Sequence, residues 1–216
     1  VLKITDEAGE TVEEWTTDGV NAKSIALKQG TYTLTEITAP DGYLKAESIT
    51  FEVDKNGNVK VTSETGELKD GKHIYMYDDY TKVEISKVYI VDEETTELIE
   101  GAELAIYEAA KYEAANGDTA KLTAVREWTT EAGKPTMIEA LPAGKYYLVE
   151  NAAPAGYLIA DAVPFVVTIT EDENGKQTAY LELQLPLLNG FSFPVQQLSF
   201  VITMPGNLLV EDPKFT

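Results

Sequence analysis

Three kinds of residue fall at positions where β-strands would aim them at one another: a lysine, a glutamate, and an asparagine or aspartate. Lys87 shares a strand phase with Val83 and Ile85, and strand side chains alternate with period 2, so its amine is expected on the apolar side. Lys82, in the opposite phase, is the competing amine. Glu36 follows Tyr32 and Leu34 in phase, and Glu150 occupies the matching place after Tyr146 and Leu148, which turns both carboxyls inward. Asn189 closes the apolar ladder Leu181, Leu183, Leu185, Leu187, and Asp78 is in phase with Ile74 and Met76. The chemistry open to such a set is an intramolecular amide bond.

An apolar core disfavours charge on an amine and on a carboxyl alike, so it favours the uncharged pair, in which the amine is a nucleophile. In the reaction expected here Lys87 attacks the side-chain carbonyl of Asn189 while Glu150 polarises that carbonyl and shuttles protons. Ammonia leaves, or water where the acceptor is an acid such as Asp78, with Glu36 in the role of Glu150. Folding holds the groups together at an effective molarity of about 10⁵ M or more. Each molecule reacts once, so the chain is not expected to be an enzyme.

The elements that must position these groups come in two copies. The run Tyr32-Thr33-Leu34-Thr35-Glu36-Ile37-Thr38-Ala39-Pro40-Asp41-Gly42-Tyr43 returns as Tyr146-Tyr147-Leu148-Val149-Glu150-Asn151-Ala152-Ala153-Pro154-Ala155-Gly156-Tyr157. Glu14-Trp15-Thr16-Thr17 returns as Glu127-Trp128-Thr129-Thr130, and Asn56-Gly57 as Asn174-Gly175. Short alternating stretches punctuated by Asp-Gly and Asn-Gly turns predict an all-β chain of two tandem Ig-like β-sandwich domains, with a β-rich tail. The expected boundaries are 1–80, 81–189 and 190–216, little linker separating the first two and the tail being the start of a third module or an added strand. Val1-Leu2-Lys3-Ile4 aligns with Leu104-Ala105-Ile106-Tyr107, so domain 1 is expected without a counterpart of the Lys87 strand, and either partly disordered or completed by a strand from outside the repeat, with residues 198–204 of this or a neighbouring chain as the candidate. The Ala-rich stretch 108–121 is read as a helical turn or two, or as a loop.

Composition closes off other functions. With 37 Asp and Glu against 17 Lys and Arg, a formal net charge of −20, the 216-residue chain lacks the basic clusters that nucleic acid or an anionic membrane would need. It has no cysteine, hence no disulfide or thiolate metal site. No apolar run approaches the roughly 18 residues of a spanning helix. Val1-Leu2-Lys3-Ile4 does not read as a signal peptide, and residues 185–190 lack the Thr-Gly pair of a sortase sorting signal.

The repeated Tyr-x-Leu-x-Glu-x-x-Ala-Pro-x-Gly-Tyr motif resembles the E-box of Gram-positive pilins, and residues 1–189 resemble tandem CnaB-type (SpaA-like) domains of pilins and cell-wall-anchored adhesins. The resemblance implies a Lys on the first strand (Lys87), a catalytic Glu in the E-box (Glu150, Glu36) and an Asn or Asp on the last strand (Asn189, Asp78). It also implies a location on the Gram-positive cell surface, partners among other domains of the surface protein or pilus subunits, and a mechanical stalk function without cofactor. No Tyr-Pro-Lys pilin motif is found.

Other readings compete. The same sandwiches could present loops to a host protein or glycan as an adhesin module, and a hydrolase using the carboxylates is a third, weaker reading. The lone His73, on an outward phase, is no metal site. Residues 92–97 are acidic but lack the Asp-x-Asp-x-Asp-Gly spacing of a calcium loop. Asp78 and Asp79 are strand neighbours and point to opposite faces, which argues against an acid-base dyad. Trp15 and Trp128 recur in register and are read as packing residues.

Overall fold

A computed structural model describes residues 1–90, 96–183, 192–194 and 201–208. The chain divides into two units, one of Val1–Tyr80 with Glu171–Gln177 and one of Thr81–Thr170 with Thr178–Thr216. Unit 1 contains β1 (Leu2–Asp6), β2 (Thr11–Trp15), β3 (Gly30–Glu36), β4 (Tyr43–Leu44), β5 (Ile49–Val53), β6 (Val59–Val61), β7 (Glu67–Lys69), β8 (His73–Tyr75) and β9 (Asp79–Tyr80). Its main sheet has the order β2-β1-β3-β5-β6, and β4 pairs with β9 and β7 with β8.

The remaining elements are β10 (Lys82–Ile90), β11 (Thr96–Leu98), β12 (Glu103–Glu108), α1 (Ala109–Ala114), β13 (Arg126–Thr129), β14 (Thr136–Glu139), β15 (Gly144–Ala152), β16 (Tyr157–Leu158), β17 (Val163–Glu171), β18 (Gln177–Leu183), β19 (Ser192–Pro194) and β20 (Val201–Leu208). The order β13-β12-β15-β17-β18-β19 repeats that of unit 1 with one strand added. A second sheet, β11-β10-β20-β16 with β14 also on β10, carries Lys87.

Alternation drives these strands as the sequence suggests. Tyr32, Leu34 and Glu36 of β3 are buried while the threonines between them are half-exposed. Tyr32 stacks on Phe51 at 5.7 Å, and Tyr146 stacks on Phe165 at 5.5 Å. Each tyrosine hydroxyl donates to a carbonyl four residues back, Lys28 and Pro142 respectively. The turn after β5 closes on Asp54, whose Oδ1 accepts from the Asn56 and Asn58 amides, with Gly57 at φ 79°. Asp172 does the same for Asn174 and Lys176.

Two expectations change. The ladders place Leu2 opposite Glu36 and Leu104 opposite Glu150, so Leu2 corresponds to Leu104, one residue away from the sequence alignment. A one-residue slip exchanges the two faces of a strand, and pairing Val1 with Leu104 would have turned Leu2 and Ile4 out of the core. Within the chain, the tail strand does not complete unit 1. β20 runs parallel to β10, from Glu84 opposite Val201 to Tyr89 opposite Gly206, because β10 offers a nine-residue edge that the two-residue β9 cannot match. The open choice for residues 108–121 resolves as helix: α1 and a 3₁₀ turn at Thr119–Lys121 lie over the outer face of β12 and β15, where Tyr112 and Leu122 pack on Ala105, Tyr107 and Val149. That cover is why four successive residues of β12 are buried although strands alternate.

Gly66 sits at φ 86°, and a Cβ there would lie 2.5 Å from Cδ1 and 3.0 Å from Cγ2 of Ile49, a residue only 1% exposed. Gly66→Ala should therefore destabilise unit 1 by about 2 kcal/mol or more, combining left-handed strain with overpacking. Thermal or denaturant unfolding of unit 1 reads this directly, and an unchanged midpoint would contradict it.

Candidate functional site

Each glutamate of the repeated motif is held by its own following loop. Glu150 lies opposite Leu104 just before a register shift that places Ala152 opposite Glu103. An irregularity of this kind kinks the strand and re-aims the adjoining side chain. In unit 1 the Ile37 and Thr38 amides both turn to the Val1 carbonyl, at 2.8 and 3.4 Å. The chain then reverses at the Ala-Pro-x-Gly-Tyr segment, where the Tyr157 amide bonds the Pro154 carbonyl and Gly156 takes φ 93°. Tyr43, Pro40 and Gly42, at φ 85°, repeat that geometry. The reversal brings a main-chain amide ten residues downstream back onto the carboxylate: Ala160 N to Glu150 Oε2 at 2.7 Å, and Ala46 N to Glu36 Oε2 at 2.9 Å. The residue spacing of the motif is thus the length of a loop that returns a main-chain donor to one carboxylate oxygen.

In unit 2 that oxygen has a second partner. Lys87 Nζ lies 2.9 Å from Glu150 Oε2, and both side chains are completely shielded from solvent. Val83 and Ile85 flank Lys87 on the same face of β10, each 1% exposed, whereas Lys82 is half-buried on the other face. Glu150 Oε1 is buried with no hydrogen-bond partner among the described residues. Asn189 lies outside the described residues.

Unit 1 holds a different pair. Asp78, half-buried, is hydrogen-bonded to Glu36, which is itself 7% exposed. Burial first, then the Glu36 charge and the shared hydrogen bond, push the Asp78 carboxyl up to about 6, against a smaller downward pull from the Val1 ammonium. His73 is exposed, 3.7 Å from Asp70.

Strand pairing relates the two halves. Tyr43 and Leu44 lie opposite Tyr80 and Asp79, as Tyr157 and Leu158 lie opposite Leu208 and Asn207. By that register β9 corresponds to the end of β20, and Asp78 corresponds to Gly206. In unit 2, β10 lies on the far side of β20. Among the described residues, no strand lies on the far side of β9. Unit 2 therefore displays amine and glutamate, unit 1 displays glutamate and acid, and the two overlap at the glutamate. The Ala46 and Ala160 amides were missed by sequence reasoning, which weighed side chains; their signal is the common ten-residue distance from each glutamate. No group of three or more potential metal ligands occurs among the described residues.

A family model, the SpaA prealbumin-like fold domain, matches residues 1–67 and 81–182. The chain belongs to the SpaA family. Solved structures similar to this SpaA chain include the Bacillus anthracis TIE protein, at 25% identity over 94% of this chain and 29% of that one, with a TM-score of 0.37. The pilus adhesin SpaC of Lactobacillus rhamnosus GG is 16% identical over 98% of this chain and 29% of its own, TM-score 0.38. The minor pilin GBS52 of Streptococcus agalactiae is 14% identical over 88% and 87% of the two chains, TM-score 0.35. The chain thus spans under a third of the first two. No curated protein matches it.

Two predictions follow from the charges. Because Asp78 binds its proton more tightly in the folded state, its contribution to unit 1 stability is lost as pH rises from about 4 to about 6, and stays lost above that. After discounting for solvent screening, the loss is about 1 kcal/mol. Asp78→Asn should flatten that part of the stability-pH curve, a result that unfolding midpoints at pH 4 and 7 would show. In unit 2, Lys87→Met strands the Glu150 carboxyl in the core, a loss of about 3–5 kcal/mol. Lys87→Met combined with Glu150→Leu should be more stable than Lys87→Met alone, and since neither variant can cross-link through Lys87, their difference reads the buried carboxyl.

Proposed function

We propose that this chain is a structural stalk segment of a Gram-positive surface pilin or adhesin, with domains at 1–80 and 81–189, the second of which is locked by an amide bond between side chains. The observation that carries the reading is the pair of overlapping half-sites: a shielded lysine on a main-chain-anchored glutamate in one unit, and an acid hydrogen-bonded to the equivalent glutamate in the other. Superposed by register, they make one complete set of nucleophile, proton shuttle and acceptor. Membership of the SpaA family supports the same reading.

In unit 2 Lys87 attacks the carboxamide carbon of Asn189, Glu150 carries the amine proton to the departing nitrogen, and ammonia leaves. Glu150 Oε1, which has no hydrogen-bond partner among the described residues, is the oxygen that would receive the acceptor. Closing a loop of about 100 residues stabilises by roughly 4.7 kcal/mol in the chain-entropy treatment of cross-links. Tension applied at the ends of such a domain runs through covalent bonds instead of through strand ladders. Partners on this reading are other domains of the surface protein or other pilus subunits.

Intact mass should fall short of the sequence mass by one ammonia, and Glu150→Ala should restore it. Peptide mapping identifies the acceptor: a Lys87 peptide joined to Asn189 supports the assignment, and one joined to Asn207, which β20 carries beside β10, moves the acceptor while keeping the chemistry. Full mass, with Lys87 freely acylated by an amine reagent in the folded protein, would sink the reading.

A further inference from the structure

The kink beside Glu150 is fastened from the outer face of its sheet. Leu104 lies opposite Glu150 and Glu103 opposite Ala152, so Asn151 is an extra residue without a counterpart on β12. Alternation turns Glu150 into the core and Asn151 outward. There Asn151 Nδ2 donates to the Tyr107 hydroxyl at 3.0 Å. Tyr107 lies opposite Tyr147, four residues before Asn151, so its side chain runs along the strands to make this bond. It is packed with Ala105 and Val149, stacked on Tyr112 of α1, and 4% exposed, whereas Asn151 is exposed. A buried ring, held on several sides, thus grips the side chain of the bulged residue. Unit 1 has Thr5 and Ile37 at the equivalent positions, and Glu36 still receives the Ala46 amide. The repeat therefore folds, and bonds its glutamate to the returning amide, without such a link.

We propose that Asn151 and Tyr107 are positioning residues of unit 2, bracing Glu150 from the opposite face of the sheet and so setting the rate of amide formation, an inference that rests on the reaction proposed above. Inside the core, Ala160 N at 2.7 Å and Lys87 Nζ at 2.9 Å both reach the same oxygen, Glu150 Oε2. Oε1 has no hydrogen-bond partner among the described residues. Donors gathered on one oxygen fix a point, and the place of the other oxygen then depends on the Cα end of the side chain. That end sits beside a bulge, where the ladder is interrupted and the strand bends. Tying Asn151 to Tyr107 removes freedom from the bulge, and with it the swing of Oε1, the oxygen that would meet the acceptor. A displacement of about 1 Å at a reacting group can cost about 100-fold in rate, so a link remote from amine and acceptor has leverage over the step. Tyrosine suits the task, since its rigid ring has few rotatable bonds to order. Both residues lie on the other face from Lys87 and exchange no proton with it.

The test follows the full chain, made as a brief pulse by in vitro translation and sampled over time by intact mass, which reads the ammonia lost. Asn151→Leu and Tyr107→Phe each delete the hydrogen bond and should slow that loss about tenfold, the two together no further than either alone. Asn151→Asp should restore the parent rate, because the Tyr107 hydroxyl can then donate to the new carboxylate, and adding Tyr107→Phe should cancel the rescue. Leu122→Ala removes packing from the same outer cluster but leaves the hydrogen bond in place. It should lower the unfolding midpoint and keep the parent rate, which separates positioning from stability. Equal rates in the parent, Asn151→Leu and Tyr107→Phe would overturn this inference and leave the amide reading standing. Slowing by Leu122→Ala to the same degree as by the brace variants would overturn it too, as a plain stability effect. If the parent chain itself loses no ammonia, the amide reading has failed and this inference falls with it.

Discussion

A carboxylate buried in an apolar core and anchored by one main-chain amide is the constraint around which each repeat is organised. Leaving such a group without partners costs several kcal/mol, so everything near it must supply donors or withhold water. The loop that follows each glutamate exists to return the Ala46 or Ala160 amide to it. Proline, glycine and tyrosine in that loop serve the reversal, and the tyrosine at the head of the motif fixes the strand by stacking on a phenylalanine and bonding a carbonyl four residues back. Sheet order, the kink beside the glutamate and the position of the Lys87 strand all follow from delivering one oxygen to one place.

The two repeats act as controls for each other. Where β10 is present, the glutamate pairs with an amine and the sheet residues beneath are sealed; where no such strand stands among the described residues, the glutamate meets a second carboxyl and the same sheet face lines a cavity. The shared parts are the motif, the sheet order and the returning amide. The main sheet order is therefore common to a repeat with the Lys87 strand and to one described without it, and in unit 2 that strand brings core packing and charge balance together. Burial and the Glu36 carboxyl in contact with it raise the Asp78 carboxyl to about 6, since two ionised carboxyls in contact are harder to sustain than one.

Period-2 alternation made much of this legible in the sequence. It placed Lys87, Glu36 and Glu150 on inward faces, and the duplicated motif announced the all-β repeat, because both depend on local pattern alone. The one-residue register of β1 was not legible: Leu2 and Ile4 alternate with polar residues in either alignment, and only the ladder to β3 decides which face meets Glu36. Nor was the pairing of β20, since strand adjacency across more than 100 residues depends on which edge is free, and sequence does not display edges. The α1 insertion was ambiguous because six Ala-rich residues are too few for helical periodicity to stand out. Main-chain donors such as Ala160 N escape any reading built on side-chain types.

A buried lysine-glutamate pair is in itself a poor way to stabilise a domain, because desolvation cancels most of the attraction and apolar residues of similar volume often do as well or better. On the function proposed above, the pair at Lys87 is the start of a reaction and not its end. Converting amine and carboxamide to an amide removes a titratable group from the core and replaces an interaction that water can break by one that it cannot. The glutamate remains behind with its main-chain donor. On the proposed reading the apolar burial of Lys87, unfavourable for an ion pair, serves to hold the amine against Glu150 in one geometry until the acceptor is in place.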